Sequence, residues 1–305
     1  MKRSASGPPP APLKGGTLII ANPNAGQRGH RTRGKDPRSL FKSLLPEAEV
    51  HLTHGPHDAC VVARQAAESG IRLVVAAGGD GTINEVVNGL VGTQTALAIL
   101  PMGTENVLAK ERHIPINLPK AVSYIRATKP RTVDVGRIGG RYFLCFVGLG
   151  FDAAVVERVK PDVKARMGAL AYVMTAMELS FKYHEGNRRV RLTVDGEVHE
   201  RDFWQIVVGN IQTYGGGLRP CPRASMHDGL LDVVIFPKTD IPGILHQIVA
   251  AATGAHVNLP EMAYFQGKHF LFECDPPVMS QFDGELGPGS PLEIEVLPGA
   301  LWARF

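Results

Sequence analysis

The segment LVVAAGGDGTINEVVNGL (73–90) restricts the architecture of this chain more than any other stretch. Leu73–Ala77 is a continuous apolar run, the composition of a strand covered on both faces, as in a parallel sheet. Gly78-Gly79-Asp80-Gly81-Thr82 ends that run abruptly, and INEVVNGL resumes with helical spacing. A strand that passes through glycines straight into a helix leaves the first helical N–H groups facing an open place. Glycine lets a phosphate approach those groups closely, and the helix dipole favours its charge. Asp80 is the odd member, because a carboxylate repels phosphate unless a cation lies between them. Mg²⁺ beside Asp80, directly or through water, is therefore expected.

The same succession recurs. TLIIANP (17–23) runs into the small-residue turn Asn22-Pro23-Asn24-Ala25-Gly26, and SLFKSLL has helical spacing. EVHLTH (49–54) alternates like a strand and DACVVARQAAESG reads as a helix closing on Gly70. ALAILPMGTEN (96–106) repeats the strand-to-loop pattern through Pro101-Met102-Gly103-Thr104-Glu105-Asn106. Alternation up to about residue 130 predicts an α/β domain over 15–130, a parallel sheet covered by helices. Its strand ends gather along one edge, where open α/β folds bind ligands. After Pro130 the character changes. Alternating β-branched and aromatic runs, with hairpin glycines at Gly139-Gly140 and Asp195-Gly196, predict a mainly antiparallel β domain over 131–291. One helical stretch, about 165–181, interrupts it.

A length of 305 residues suits two domains, and 44% hydrophobic with 20% charged residues excludes wholesale disorder. The net charge of +4 is too mild to argue for a nucleic-acid polymer. Its distribution is uneven. Residues 1–50 hold nine Lys and Arg against three acids, so this end should face phosphates or an acidic membrane surface. Residues 1–14 read as a disordered Pro/Ser/Gly tail without the apolar core of a secretory signal. The four cysteines form no CxxC pair, which fits a reduced, cytoplasmic protein. The longest stretch free of charged residues, 241–260, contains Pro242, His246, Gln247, His256 and Asn258 and is a poor membrane span.

Two nucleotide motifs fail on inspection. Gly29 to Lys35 fits GxxxxGK, but Asp36 stands where Ser or Thr should hold Mg²⁺. Gly148-Leu149-Gly150 lacks a third glycine and lies among β-segments. His51, His54 and His57 have metal-like spacing. A strand would put the first two on opposite faces and Gly55-Pro56 bends the chain, so solvated loop histidines are the expectation. In the β half, Tyr214-Gly-Gly-Gly217 precedes a turn at Ser225 to Asp232, where Asp228 among free carbonyls suits a hard cation or an ordinary turn. Phe282-Asp283-Gly284-Glu285 sets two carboxylates close together, either a hairpin turn or a general base with a helper.

Taken in order, NPNAG (22–26), GGDGTINE (78–85), PMGTEN (101–106), YGGG (214–217), HDGLLD (227–232) and DGE (283–285) resemble the diacylglycerol kinase catalytic family, most of all its soluble bacterial lipid kinases, over about residues 15–305. GGDGT is shared with NAD kinases, and the last two motifs tip the choice. The resemblance implies a two-domain kinase with a cleft, ATP as co-substrate and Mg²⁺ as cofactor. It implies that Asn22, Thr53, Gly78, Gly79, Asp80, Gly81, Thr82, Ile83, Asn84 and Thr104 line the ATP site. It implies Glu285 as proton acceptor and a cation site from the carbonyls of Ser225 and Leu230 and the carboxylate of Asp228; beside this, the catalytic Mg²⁺ is expected on Asp80, with Asp283 open as a further ligand. The segment 292–305 would return to complete the first domain. The expected partner is a lipid at the membrane surface, met by a peripheral cytoplasmic enzyme, with a homodimer open as its assembly state. Glu105 before Asn106 and His227 before Asp228 depart from the family pattern. A NAD kinase-like enzyme and a non-catalytic lipid- or nucleotide-binding protein stand as rival functions.

Overall fold

Strands β1 (Thr17–Ala21), β2 (Glu49–Leu52), β3 (Leu73–Gly78) and β4 (Ala96–Pro101) lie parallel in the order β2-β1-β3-β4. β3 and β4 are buried at every position, as their unbroken apolar runs require. Helices α1 (Pro37–Leu44), α2 (Asp58–Glu68) and α3 (Asp80–Leu90) connect them and α4 (Val107–Glu111) and α5 (Leu118–Ala127) follow β4, with α2 against α3 and α1 against α5. Caps set two of these helices. Asp36 accepts from the Arg38 N–H before α1, Asn117 accepts from the Lys120 N–H before α5, and proline follows each cap. The computed structural model describes residues 16–25, 36–158, 188–283 and 285–305. The tail 1–14, the basic residues 28–35 with their GxxxxGK pattern, and the helical stretch expected at 165–181 lie outside these.

The chain divides into two compact units, Met1–Val135 with Pro298–Phe305, and Gly136–Leu297. The second unit is a sandwich of antiparallel sheets. One sheet runs β12 (Ala263–Gly267), β11 (Leu231–Phe236), β10 (Gln205–Gly209), β7 (Phe146–Gly150), β14 (Met279–Phe282), β15 (Glu285–Gly289). The other pairs β9 (Glu197–Asp202), β8 (Arg189–Val194), β13 (His269–Asp275) and the opening residues of β16 (Leu292–Ala303). Val147, Leu149, Ile206 and Val233 from the first sheet meet Val190, Leu192, Phe270 and Ile294 from the second in one core. β5 (Arg131–Ile138) turns through Gly139-Gly140, both at positive φ, into β6 (Arg141–Phe143). β5 and β16 each contribute residues to both units. In the first unit, Trp302 and Ala303 of β16 run parallel to Ala96 and Leu97 of β4.

Two elements differ from expectation. Gly148–Gly150 lies among β-segments, paired with β10 and β14, but its strand also passes directly into helix α6 (Phe151–Arg158). The charge-free stretch after 240 forms helix α7 (Ile241–Thr253), started by Asp240, which accepts from the Gly243 N–H. Among the described residues, no helix is long and apolar enough to cross a membrane.

Candidate active site

The parallel ladder of the first unit continues one step beyond each strand. The Thr53 N–H donates to Ala21 O (2.9 Å), the Asn22 N–H to Ala77 O (3.0 Å) and the Met102 N–H to Gly78 O (2.9 Å). Thr53, Asn22, Gly79 and Gly103 therefore stand in a row along the carboxyl edge. The chain steps from β1 outward to β2 and then back across β1 to β3, so strand order reverses between β1 and β3. That reversal opens a crevice, the usual ligand position in open α/β sheets. Asn22 lies on one side of it and the glycine turn on the other. Asn22 Nδ2 donates to Thr82 Oγ1 (3.4 Å), and Asn22 Oδ1 accepts from the Asn24 N–H (2.9 Å).

Helix α3 starts at once after Gly79, its first bond running from the Ile83 N–H to Gly79 O (3.1 Å). The N–H groups of Asp80, Gly81 and Thr82 thus belong to the first turn, which has no intrahelical acceptors. The glycines are used differently. A Cβ on Gly103 would lie 2.5 Å from the Gly79 Cα, so these two turns touch backbone to backbone. A Cβ on Gly81 would meet nothing within 4 Å, so there is room for a ligand over the helix start. Ile83 and Asn84 are buried, and Ile83 can reach a nucleotide only through its main chain. Asn106, also buried, accepts from the Gly103 N–H and donates to Gly103 O (both 2.8 Å), which closes the third turn on itself. Thr104 is exposed there, and the unusual carboxylate of Glu105 pairs with Lys110 at 3.4 Å.

In the second unit, β14 and β15 form a hairpin with Phe282 opposite Glu285. Asp283 stands in the turn at φ +46°. Its carboxylate accepts the N–H groups of Leu144 (3.2 Å), Cys145 (3.2 Å) and Phe146 (3.0 Å), while its own N–H donates to Phe146 O (3.1 Å). Both oxygens are thus engaged by amides, which makes Asp283 the residue that fixes the turn rather than a ready metal ligand. Glu285 pairs with Arg141 at 2.8 Å, and the guanidinium lies over the Phe282 ring, 4.6 Å from its centroid. Sequence reasoning missed Arg141, whose only mark is its place just after the Gly139-Gly140 turn.

Behind this hairpin lies a polar knot that was also not anticipated. Tyr214 Oη donates to Asp152 Oδ2 (2.8 Å), and Gln281 Nε2 lies 2.9 Å from that oxygen and 2.8 Å from Tyr214 Oη. The Asp152 N–H donates to Gln205 Oε1 (2.9 Å). The knot joins the β7–α6 turn, the YGGG loop and the strand leading to Asp283. Burial pushes the Asp152 carboxyl above the ordinary carboxylate range, against the hydrogen bonds from Gln281 and Tyr214. A raised carboxyl pKa means that the folded chain holds the proton where the unfolded chain, near 3.8, has lost it. Stability from this group therefore falls as pH rises above that value, and the cost is complete above the folded pKa. Asp152→Asn should remove this dependence, so wild-type stability relative to the variant should fall between pH 4 and pH 8 in urea titrations. Parallel curves would exclude it.

The Ser225 to Asp232 turn keeps its carboxylates close. Asp228 Oδ1 accepts from the Leu230 N–H (3.1 Å), and Ser225 Oγ accepts from the His227 N–H (3.3 Å). Asp232 Oδ1 accepts from Tyr264 Oη and from Gln266 Nε2 (3.2 Å). Asp232 Oδ2 is buried with no hydrogen-bond donor among the described residues. Burial first, and the nearby Asp228 charge among lesser causes, push the Asp232 carboxyl up to about 6. Asp228 in the turn and the neighbouring Asp232 on β11 are a pair of carboxylates that a hard cation fits.

His54 and His57 are exposed loop residues, as expected, whereas His51 is part-buried in β2. β2 ends at Leu52, and the bend at Gly55-Pro56 brings His54 back beside His51 and Asp58.

Residues 16–138 match the diacylglycerol kinase catalytic domain, and residues 145–303 match the YegS C-terminal NAD kinase beta sandwich-like domain. A diacylglycerol kinase of Bacillus subtilis is 29% identical over 281 residues, 90% of this chain and 91% of its own. A protein of Pseudomonas savastanoi pv. phaseolicola named "Probable lipid kinase YegS-like" is 32% identical, covering 84% of this chain and 83% of its own. A crystal structure of a diacylglycerol kinase from Bacillus anthracis superposes with a TM-score of 0.76 at 26% identity, over 95% of this chain and 96% of that one.

Proposed function

Since the chain belongs to the diacylglycerol kinase family, its second half of the YegS type, we propose that it transfers the γ-phosphate of ATP to the hydroxyl of a membrane lipid, diacylglycerol or a chemical neighbour. The observation that carries this reading is the row of Asn22, Thr53, Gly79 and Gly103 on one sheet edge, with open space over Gly81. The first-turn N–H groups of α3 hold the phosphates there, and Asn22, Thr53 and Thr104 border the nucleotide. Glu285 accepts the proton of the lipid hydroxyl as that oxygen attacks the γ-phosphorus. The bond from that phosphorus to the bridging oxygen breaks, and ADP leaves with the electron pair. Arg141 orients the Glu285 carboxylate, and Asp283 holds the turn that carries it. Asp80 would hold Mg²⁺, which when bound would offset charge on the phosphates.

Radiolabelled ATP offered with diacylglycerol, monoacylglycerol, sphingosine, ceramide, phosphatidylglycerol, undecaprenol and NAD tests the assignment. Label should pass to at least one lipid and not to NAD. Transfer to NAD alone would favour the nucleotide kinase reading, and transfer to none would favour a binding protein.

A second cation belongs, on this reading, to the turn of Ser225, Asp228 and Leu230, where it relieves the repulsion between Asp228 and Asp232. Added Mg²⁺ should raise the melting temperature of the wild type but not of Asp228→Ala. An equal rise in both would remove the site from this turn.

A further inference from the structure

We propose that His51, His54 and Asp58 form a binding site for a divalent transition-metal ion of the zinc type, with water completing its shell. His51 is in β2 and Asp58 is the first residue of α2. His51 Nε2 lies 2.8 Å from Asp58 Oδ2, and the His54 N–H donates to the same oxygen at 2.9 Å. The two imidazoles stand edge to face, with centroids 5.6 Å apart and planes at 89°. One ligand atom from each of the three side chains lies within 4.8 Å of the others.

These dimensions are close to what an ion needs. Tetrahedral zinc with bonds of about 2.0 Å puts ligand atoms about 3.3 Å apart and two imidazole centroids about 5 Å apart. Side-chain shifts of about an ångström complete the fit, and these side chains have the freedom to make them. His54 is exposed, and the His51 and Asp58 side chains are 27% and 25% accessible. Two imidazoles with one carboxylate favour zinc, cobalt or nickel over Mg²⁺ or Ca²⁺. Thr53 lies between the two histidines, so the ion would also restrain the loop at the carboxyl edge.

The test uses metal-free full-length protein titrated with Co²⁺ and then Zn²⁺. One equivalent of Co²⁺ should give the visible absorption of a four-coordinate ion, and Zn²⁺ should displace it. Competition with a chromophoric chelator should show zinc affinity at least about tenfold weaker in both Asp58→Asn and His54→Ala. Asp58→Asn keeps an acceptor for the His54 N–H and His54→Ala alters an exposed ring, so both should fold, as circular dichroism will show. Absence of the cobalt band, or unchanged zinc affinity in either variant, overturns the site. Neither readout needs kinase activity, so the two assignments can fail separately.

Discussion

Glu285→Gln should lower kcat on the best lipid acceptor by roughly 10²–10⁴-fold, while ATP affinity and melting temperature change little. A lipid hydroxyl is a poor nucleophile at neutral pH, and phosphoryl transfer gains from a base held near it. Glutamine keeps the shape and a partner for Arg141 but accepts no proton. The turn itself should survive, because its geometry comes from Asp283 and the amides of Leu144, Cys145 and Phe146. Fold and chemistry are thus separable at neighbouring positions. Asp283→Ala, by contrast, leaves those amides without their acceptor and should lower stability. Steady-state kinetics and thermal melts on the two variants decide the matter. Near-normal turnover in Glu285→Gln would make the hairpin structural and leave Asp80 as the leading candidate.

A pair of glycine substitutions gives the second large effect. Gly81→Ala places a methyl group in open space in the first turn of α3. Replacing glycine in a helix should stabilise the fold by about 0.5–1 kcal/mol. The same methyl occupies the room assigned to the phosphates, so ATP affinity should fall by roughly 10–100-fold, about 1.4–2.8 kcal/mol. Gly103→Ala drives a methyl to 2.5 Å from the Gly79 Cα and must force the facing backbones apart. It should cost about 1–3 kcal/mol of stability as well as ATP binding. Calorimetric ATP titrations beside thermal melts read both quantities. Unchanged ATP affinity in a stabilised Gly81→Ala would move the phosphates away from this turn.

How far the sequence could be read depended on the range of the interactions. β3 and β4 were legible because a strand buried on both faces must be apolar throughout, and the glycine turns because a strand-to-helix junction in so few residues leaves little choice. The row on the carboxyl edge followed from parallel pairing. The partners of Glu285 and Asp283 did not, since Arg141 and Leu144–Phe146 are more than 130 residues away and become neighbours only through the sheet order. Asp152 was equally hidden, its partners Gln205, Tyr214 and Gln281 being drawn from three distant segments. The histidines show a local failure. The alternation of 49–54 continues past the strand, and the backbone leaves β2 at Leu52, before His54.

The last strand imposes an order on synthesis. The open edge of β4 is covered by Trp302 and Ala303, and the Arg304 N–H donates to Leu97 O at 2.8 Å. Arg304 also reaches the carbonyls of Ile125 and Thr128 (3.3 and 3.1 Å) at the end of α5, and Leu301, Trp302, Ala303 and Phe305 are buried. While the ribosome is still translating the β sandwich, the N-terminal sheet waits with an apolar edge exposed, a template for pairing with other nascent chains. Its core closes only after residue 303 has emerged. A circular permutant carrying 298–305 ahead of Thr17 would let that sheet close early, at the expense of cutting β16 in two.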